Sequence, residues 1–213
     1  MKVSKESMLL YVVTDRTWLG GNSLARQVEE AVKAGATFVQ LREKDMGYDD
    51  YLAEAKKIKT VTDRYHIPFV IDDNIEVALA VGADGVHVGQ SDRTAREARA
   101  LIGKDKILGV SAQTVEQAIE AEKNGADYLG VGAVFSTSTK LDAKNVSYQT
   151  LKAICAAVSI PVVAIGGINE KNILQLKGSG ADGVAVISAI FAKPDVYAAA
   201  KTICGLSKET VAP

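Results

Sequence analysis

Short apolar runs rich in β-branched residues alternate along this chain with longer segments whose apolar positions recur every three or four residues. The runs fall at 8 to 14, 37 to 41, 68 to 71, 84 to 88, 107 to 110, 127 to 131, 161 to 165 and 182 to 187. That alternation predicts parallel strands joined by helical crossovers. The clearest helix spans 22 to 35: Asn22 or Ser23 caps it, Leu24, Val28 and Val32 share a face, and Gly35 stands at its end. Eight such units predict a closed (β/α)8 barrel with eight helices. A doubly wound open sheet is the competing architecture, but Thr14-Asp15-Arg16 follows the first strand where that fold would carry G-x-G-x-x-G.

An internal repeat supports the barrel. Gly35-Ala36-Thr37, Gly82-Ala83-Asp84, Gly125-Ala126-Asp127 and Gly180-Ala181-Asp182 each precede an apolar run, at intervals of roughly two βα units. Each glycine sits where a helix should stop in a left-handed cap, and the alanine lets the chain turn into the next strand. The repeat therefore marks strands two, four, six and eight.

Composition narrows the chemistry. At 213 residues the chain is expected to form one domain, 1–213. A net charge of −1 gives no field for nucleic acid or anionic lipid, so any anionic ligand needs a local site. Cys155 and Cys204 are the only cysteines and show no metal-ligand spacing, which is consistent with a reducing compartment. The opening Met-Lys-Val-Ser-Lys-Glu is charged, and no run approaches the roughly 18 apolar residues of a membrane span. A cytoplasmic enzyme without a membrane partner is expected.

Active sites of such barrels lie at the C-terminal strand ends, and polar residues gather there. Gln40, Arg42 and Lys44 alternate with Leu41 and Glu43 after strand two, so on an extended chain two cations and an amide converge, as a diphosphate needs. An exposed, salt-bridged loop is the bland alternative. Strand three ends in Asp72-Asp73-Asn74 and strand four in Gly89-Gln90-Ser91-Asp92. Asp73 and Asp92 either share a Mg2+ ion, as hard carboxylate donors, or cap the helices that follow. Ser111 ends strand five with no obvious base to make it a nucleophile, and reads as a hydrogen-bonding group. His66, just ahead of Pro68, and His87, inside strand four, read as structural. After strand six, Ser136-Thr137-Ser138-Thr139-Lys140 forms either a phosphate lid or a plain polar loop. Gly166-Gly167 after strand seven, with Ile187-Ser188 after strand eight, match the recurring monophosphate site of these barrels.

These features resemble the thiamine-phosphate synthase family. The carrying motifs are YVVTDR at 11 to 16, QLREK at 40 to 44, GADGVHVGQ followed by Ser91 and Asp92, LGVSAQT at 108 to 114, FSTSTK at 135 to 140, AIGGI at 164 to 168 and the closing Ile187-Ser188. The resemblance implies condensation of a pyrimidine diphosphate with a thiazole phosphate to thiamine monophosphate and pyrophosphate, with Mg2+ as cofactor.

It also implies roles for particular residues. Gln40, Arg42 and Lys44, with Leu41, Glu43 and Asp72, would form the pyrimidine diphosphate subsite. Asp73 and Asp92 would hold Mg2+. Arg42, Lys44, Ser111 and Lys140 would assist departure of the diphosphate. Thr137, Ser138 and Thr139, with Gly167, Ile187 and Ser188, would take the thiazole phosphate. The route in the family is dissociative, through a pyrimidine methylene cation.

Two departures stand out. Asp72 occupies a position where the family commonly has asparagine, and would accept from the pyrimidine amino group or tighten the metal site. Ala133 and Ser136 stand where prolines are often seen. A thiazole tautomerase and a non-catalytic phosphate-binding barrel are the rival readings; the diphosphate and metal constellation speaks against the first, and pyrophosphate release separates the second.

Overall fold

The apolar runs become strands because each is covered twice, by the barrel interior on one face and by helices on the other. In a computed structural model describing residues 3–90, 94–136 and 145–212, the strands are β1 (Leu10–Val13), β2 (Phe38–Leu41), β3 (Phe69–Asp72), β4 (Gly85–Val88), β5 (Ile107–Ala112), β6 (Tyr128–Val131), β7 (Val162–Ile165) and β8 (Gly183–Val186). They pair in chain order, all parallel, and β8 returns to β1 through Leu10↔Val184 and Val12↔Val186, closing the barrel. The helices are α1 (Leu24–Lys33), α2 (Tyr48–Tyr65), α3 (Ile75–Val81), α4 (Ala95–Ile102), α5 (Val115–Lys123), α6 (Tyr148–Ala157), α7 (Ser188–Phe191) and α8 (Val196–Val211).

The expected helix at 22 to 35 is α1, with Ser23 accepting from Arg26 N at 3.3 Å as its N-cap. The expectation of one helix per strand fails between β7 and β8, where a single 3-10 turn, Ile173–Leu176, makes the crossover. Two helices follow β8 instead, and α8 packs on that turn and on α1. His66 is the left-handed C-cap of α2, with φ +55°.

The repeat does more than stop helices. Its glycines are left-handed, with φ of +114°, +70°, +89° and +85° at Gly35, Gly82, Gly125 and Gly180. Its third residue satisfies an N–H at the start of the preceding strand, the first one in β1, β3 and β7 and the second in β5. Thr37 Oγ1 accepts from Leu10 N at 2.9 Å, Asp84 Oδ2 from Phe69 N at 2.8 Å, Asp127 Oδ2 from Leu108 N at 2.8 Å and Asp182 Oδ2 from Val162 N at 2.9 Å. Strand starts buried on both faces would otherwise leave those amides unpaired. The four side chains form a ring of latches on the face opposite the strand ends that carry the site.

Leu10, Val12, Val39, Leu41, Ile71 and Val86 pack outward against the helices, while Tyr11, Phe38, Val70, Ile107, Tyr128 and Val163 fill the barrel. Tyr11, Phe38 and Tyr128 meet at ring-centroid distances of 4.6 to 5.8 Å. This aromatic plug forms the floor beneath the strand ends.

Candidate active site

The alternation read after strand two is realised at the end of β2. Gln40 turns inward, is 4% exposed, and donates from Nε2 to Tyr11 Oη at 2.9 Å. Arg42 follows on the same side, its backbone N–H on Thr14 Oγ1 at 3.1 Å and its Nε 3.3 Å from Asp72 Oδ2 across the β2–β3 boundary. Lys44 is exposed beyond them. Leu41 and Glu43 are not brought to this spot. Leu41 lies in the outer apolar layer with its carbonyl on the Tyr51 hydroxyl at 3.0 Å, and Glu43 accepts from Arg16 Nε at 2.9 Å. Burial pushes the Glu43 carboxyl above the ordinary carboxylate range, an effect that Arg16 partly offsets.

At the end of β3, Asp73 stands at φ +57° with its amide on His87 O at 2.9 Å. The capping alternative for it fails on geometry, because Asn74 is the N-cap of α3, accepting from Val77 N at 2.9 Å. The cap of α4 is likewise Thr94, in a capping box with Glu97. Asp73 is thus an exposed carboxylate beside the Arg42–Asp72 pair, held in a backbone conformation that few side chains adopt. Asp92, Thr137, Ser138, Thr139 and Lys140 lie outside the described residues.

Ser111, half-buried at the end of β5, does have a histidine partner: His87 Nε2 lies 3.0 Å from its Oγ. Sequence reasoning placed His87 in the wall and gave Ser111 no such neighbour. The signal lay in the strand alternation, since Gly85 and His87 share the face opposite Val86 and Val88, as Gly109 and Ser111 share one on the next strand.

On the far side, Gly166 and Gly167 follow β7 with φ of +102° and +65°. Phe135 N donates to Gly166 O at 3.0 Å, and Gly167 O accepts from Asn172 Nδ2 at 2.9 Å and Asn169 Nδ2 at 3.1 Å. A Cβ on Gly167 would overlap Ser136 O and lie 2.8 Å from Phe135 O. Ile187 precedes α7 as its N-cap residue and Ser188 opens that short helix, where helix geometry leaves N–H groups without an intrahelical partner. These elements make a backbone-lined wall on the side of the closed barrel across from the β2 and β3 strand ends.

Two clefts of about 400 and 580 Å3 open elsewhere. They are lined by Val3, Thr37 and Pro68, and by Lys5, Asp182 and Thr210, and neither gathers the residues just described. Among the described residues no group of three or more His, Cys, Asp or Glu side chains forms a metal cage, and no helix is long and apolar enough to cross a membrane.

Residues 10–190 match the sequence profile of the thiamine monophosphate synthase family. The chain belongs to that family. Among similar members, the thiamine-phosphate synthase of Ruminiclostridium cellulolyticum is 55% identical over 94% of this chain and 95% of its own length. That of Clostridium tetani is 52% identical over 94% and 96%. A solved thiamine phosphate pyrophosphorylase from Pyrococcus furiosus superposes with a TM-score of 0.90 at 39% identity, covering 98% of this chain and 99% of that one. In this thiamine monophosphate synthase family member, the Asp72 carboxylate pairs with Arg42.

Proposed function

We propose that the chain condenses a pyrimidine methyl diphosphate with a thiazole phosphate, giving thiamine monophosphate and pyrophosphate. One observation carries the reading beyond kinship: the barrel mouth is divided, with Gln40, Arg42 and Lys44 on one side and the Gly166-Gly167 and Ile187-Ser188 backbone on the other. The cationic side suits a diphosphate, and the amide-lined side suits a monophosphate ester.

In this mechanism the methylene C–O bond breaks first and its electron pair leaves on the diphosphate oxygen. The thiazole nitrogen lone pair then forms the C–N bond. Arg42, Lys44 and Lys140 stabilise the charge on the leaving group, and Ser111 donates a hydrogen bond to it. Gln40 and Asp72 orient the pyrimidine. Thr137, Ser138 and Thr139, with Gly167, Ile187 and Ser188, hold the thiazole phosphate. The route needs leaving-group stabilisers more than bases, and this mouth is built of them.

The oxygen donors fit Mg2+. Asp73 is an exposed carboxylate beside the cationic side, and Mg2+ takes one or two protein carboxylates and completes its shell with water and phosphate oxygens. Asp73 and Asp92 would hold it, and the ion when bound supplies neutralisation of diphosphate charge. The reaction belongs in the cytoplasm, with small-molecule partners only.

Incubating the purified protein with both substrates and Mg2+ tests the proposal. Pyrophosphate release together with thiamine monophosphate is expected. Interconversion of thiazole phosphate isomers without pyrophosphate would assign a tautomerase, and no turnover at saturating substrate would leave a binding barrel.

A further inference from the structure

A continuous chain of side-chain hydrogen bonds crosses the barrel interior beneath the mouth. Gln40 Nε2 meets Tyr11 Oη at 2.9 Å, Tyr11 Oη meets Tyr128 Oη at 2.7 Å, Tyr128 Oη meets His87 Nδ1 at 2.9 Å, and His87 Nε2 meets Ser111 Oγ at 3.0 Å. It joins β2 to β5 through the aromatic plug, and its two ends are residues assigned above to the pyrimidine diphosphate side. Gln40, Tyr11, Tyr128 and His87 are all buried.

Two strand glycines make room for it. A Cβ on Gly109 would overlap the Tyr128 hydroxyl and lie 2.5 Å from His87 Nδ1, and one on Gly130 would lie 3.2 Å from His87 Cε1.

Counting hydrogens gives the chain a direction. The amide nitrogen of Gln40 only donates, so Tyr11 Oη accepts from it. Burial holds the Tyr11 and Tyr128 phenols well above their ordinary range, so each hydroxyl keeps one hydrogen to give. The Tyr11 hydrogen has Tyr128 Oη as its acceptor, and the Tyr128 hydrogen then has His87 Nδ1. Running the chain the other way would strand a buried Tyr11 hydrogen between a donor and a second donor, with no acceptor to take it. With Nδ1 accepting, the ring hydrogen of neutral His87 sits on Nε2 and is donated to Ser111. The Ser111 hydroxyl hydrogen is then directed away from the histidine.

We propose that Gln40, Tyr11, Tyr128 and His87 form a directional hydrogen-bond wire that fixes Ser111 as a donor toward an anionic diphosphate. Tyr11, Tyr128 and His87 are positioning residues in this scheme, and His87 is not a base for Ser111. The claim about Ser111's ligand rests on the proposed function. The claim about the wire does not.

The chain has two histidines, so nuclear magnetic resonance of protein with 15N-labelled histidine reads the wire directly, with His66→Asn assigning the signals. The His87 hydrogen is expected on Nε2. A hydrogen on Nδ1, or on both nitrogens, overturns the direction. Gln40→Glu, whose carboxylate accepts from Tyr11, is expected to reverse every bond and move the hydrogen to Nδ1, although residue 40 lies three bonds of the wire away from the ring. In a Tyr128→Phe background the same substitution should leave His87 unchanged. An unmoved hydrogen in the first case, or a moved one in the second, overturns transmission along the wire.

Kinetics test the link to Ser111. Tyr128→Phe is expected to lower kcat about tenfold, roughly one hydrogen bond in the transition state, with KM for the thiazole phosphate unchanged. In a Ser111→Ala background it should cost nothing further, and an additive loss there would remove Ser111 from the scheme. If the unaltered protein releases no pyrophosphate, the proposed function fails, and the resonance experiment still decides the wire.

Discussion

Arg42 and Asp72 form an ion pair across neighbouring strand ends, 3.3 Å apart, with their side chains only 15% and 16% exposed. The cation proposed above to meet the diphosphate therefore already has a resident counter-ion. The pair holds the guanidinium in place and at the same time weakens its pull on a diphosphate. Asp72→Asn keeps an oxygen for the guanidinium and removes the charge. We expect affinity for inorganic pyrophosphate to rise about tenfold, a modest Coulomb effect for charges this close to solvent, read by competition against the diphosphate substrate. Unchanged or weaker pyrophosphate binding would show that Asp72 does not restrain Arg42.

Gly167 combines a left-handed backbone with no space for a Cβ beneath Phe135 O and Ser136 O. Gly167→Ala is expected to destabilise the fold by about 1–3 kcal/mol and to displace the loop after β6. KM for the thiazole phosphate should rise while KM for the pyrimidine diphosphate holds. Equal changes in both would place the damage elsewhere.

Asp127 accepts from Leu108 N and from Arg99 Nη2, which lies 2.6 Å away, on the face of the barrel remote from the chemistry. Removing its carboxylate leaves a buried amide and a half-buried guanidinium without that acceptor. Asp127→Ala should cost about 2–4 kcal/mol, seen as a lower Tm, with kcat/KM unchanged at a temperature where the variant is folded. A fall in kcat/KM under those conditions would show that the latches reach the site.

Burial pushes the Cys155 thiol up to about 12, and Asp182 adds to the effect. Two consequences follow. Native protein should resist alkylation by iodoacetamide at pH 8, where unfolded protein reacts readily. The folded state also holds this proton more tightly than the unfolded chain does, so stability is lost as pH rises from the ordinary thiol range toward 12. Cys155→Ala should flatten that alkaline fall in Tm. Rapid alkylation of the folded protein would contradict both.

The barrel was legible because its signals are local. Apolar runs, a cap at Ser23 and glycines such as Gly82 act within a few residues of themselves, and the left-handed φ of all four repeat glycines bears that reading out. What escaped depends on contacts between strands. Asp84, Asp127 and Asp182 look like ordinary turn residues until the register sets each carboxylate under an amide at the start of the neighbouring strand. Ser111 and His87 are 24 residues apart and meet only once β4 and β5 are paired. Glu43 shares a motif with Arg42, yet the pleat points it toward Arg16. The missing crossover helix between β7 and β8 was hidden for a similar reason, since α8, which covers that turn, comes more than twenty residues later.

That arrangement bears on when the protein can fold as it is synthesised. The crossover between β7 and β8 is covered by α8, and Ser207 on that helix donates to Leu9 O at 2.5 Å, just ahead of the first strand. Cys204 on the same helix reaches Gly35 O. Growing chains can pair β1 through β7 in order, but the ring cannot shut until Gly183–Val186 has left the ribosome, nor its seam be covered until Val196–Val211 has. Closure is therefore a late event in translation, and a nascent chain arrested before α8 should be sensitive to proteases along the β1–β8 seam.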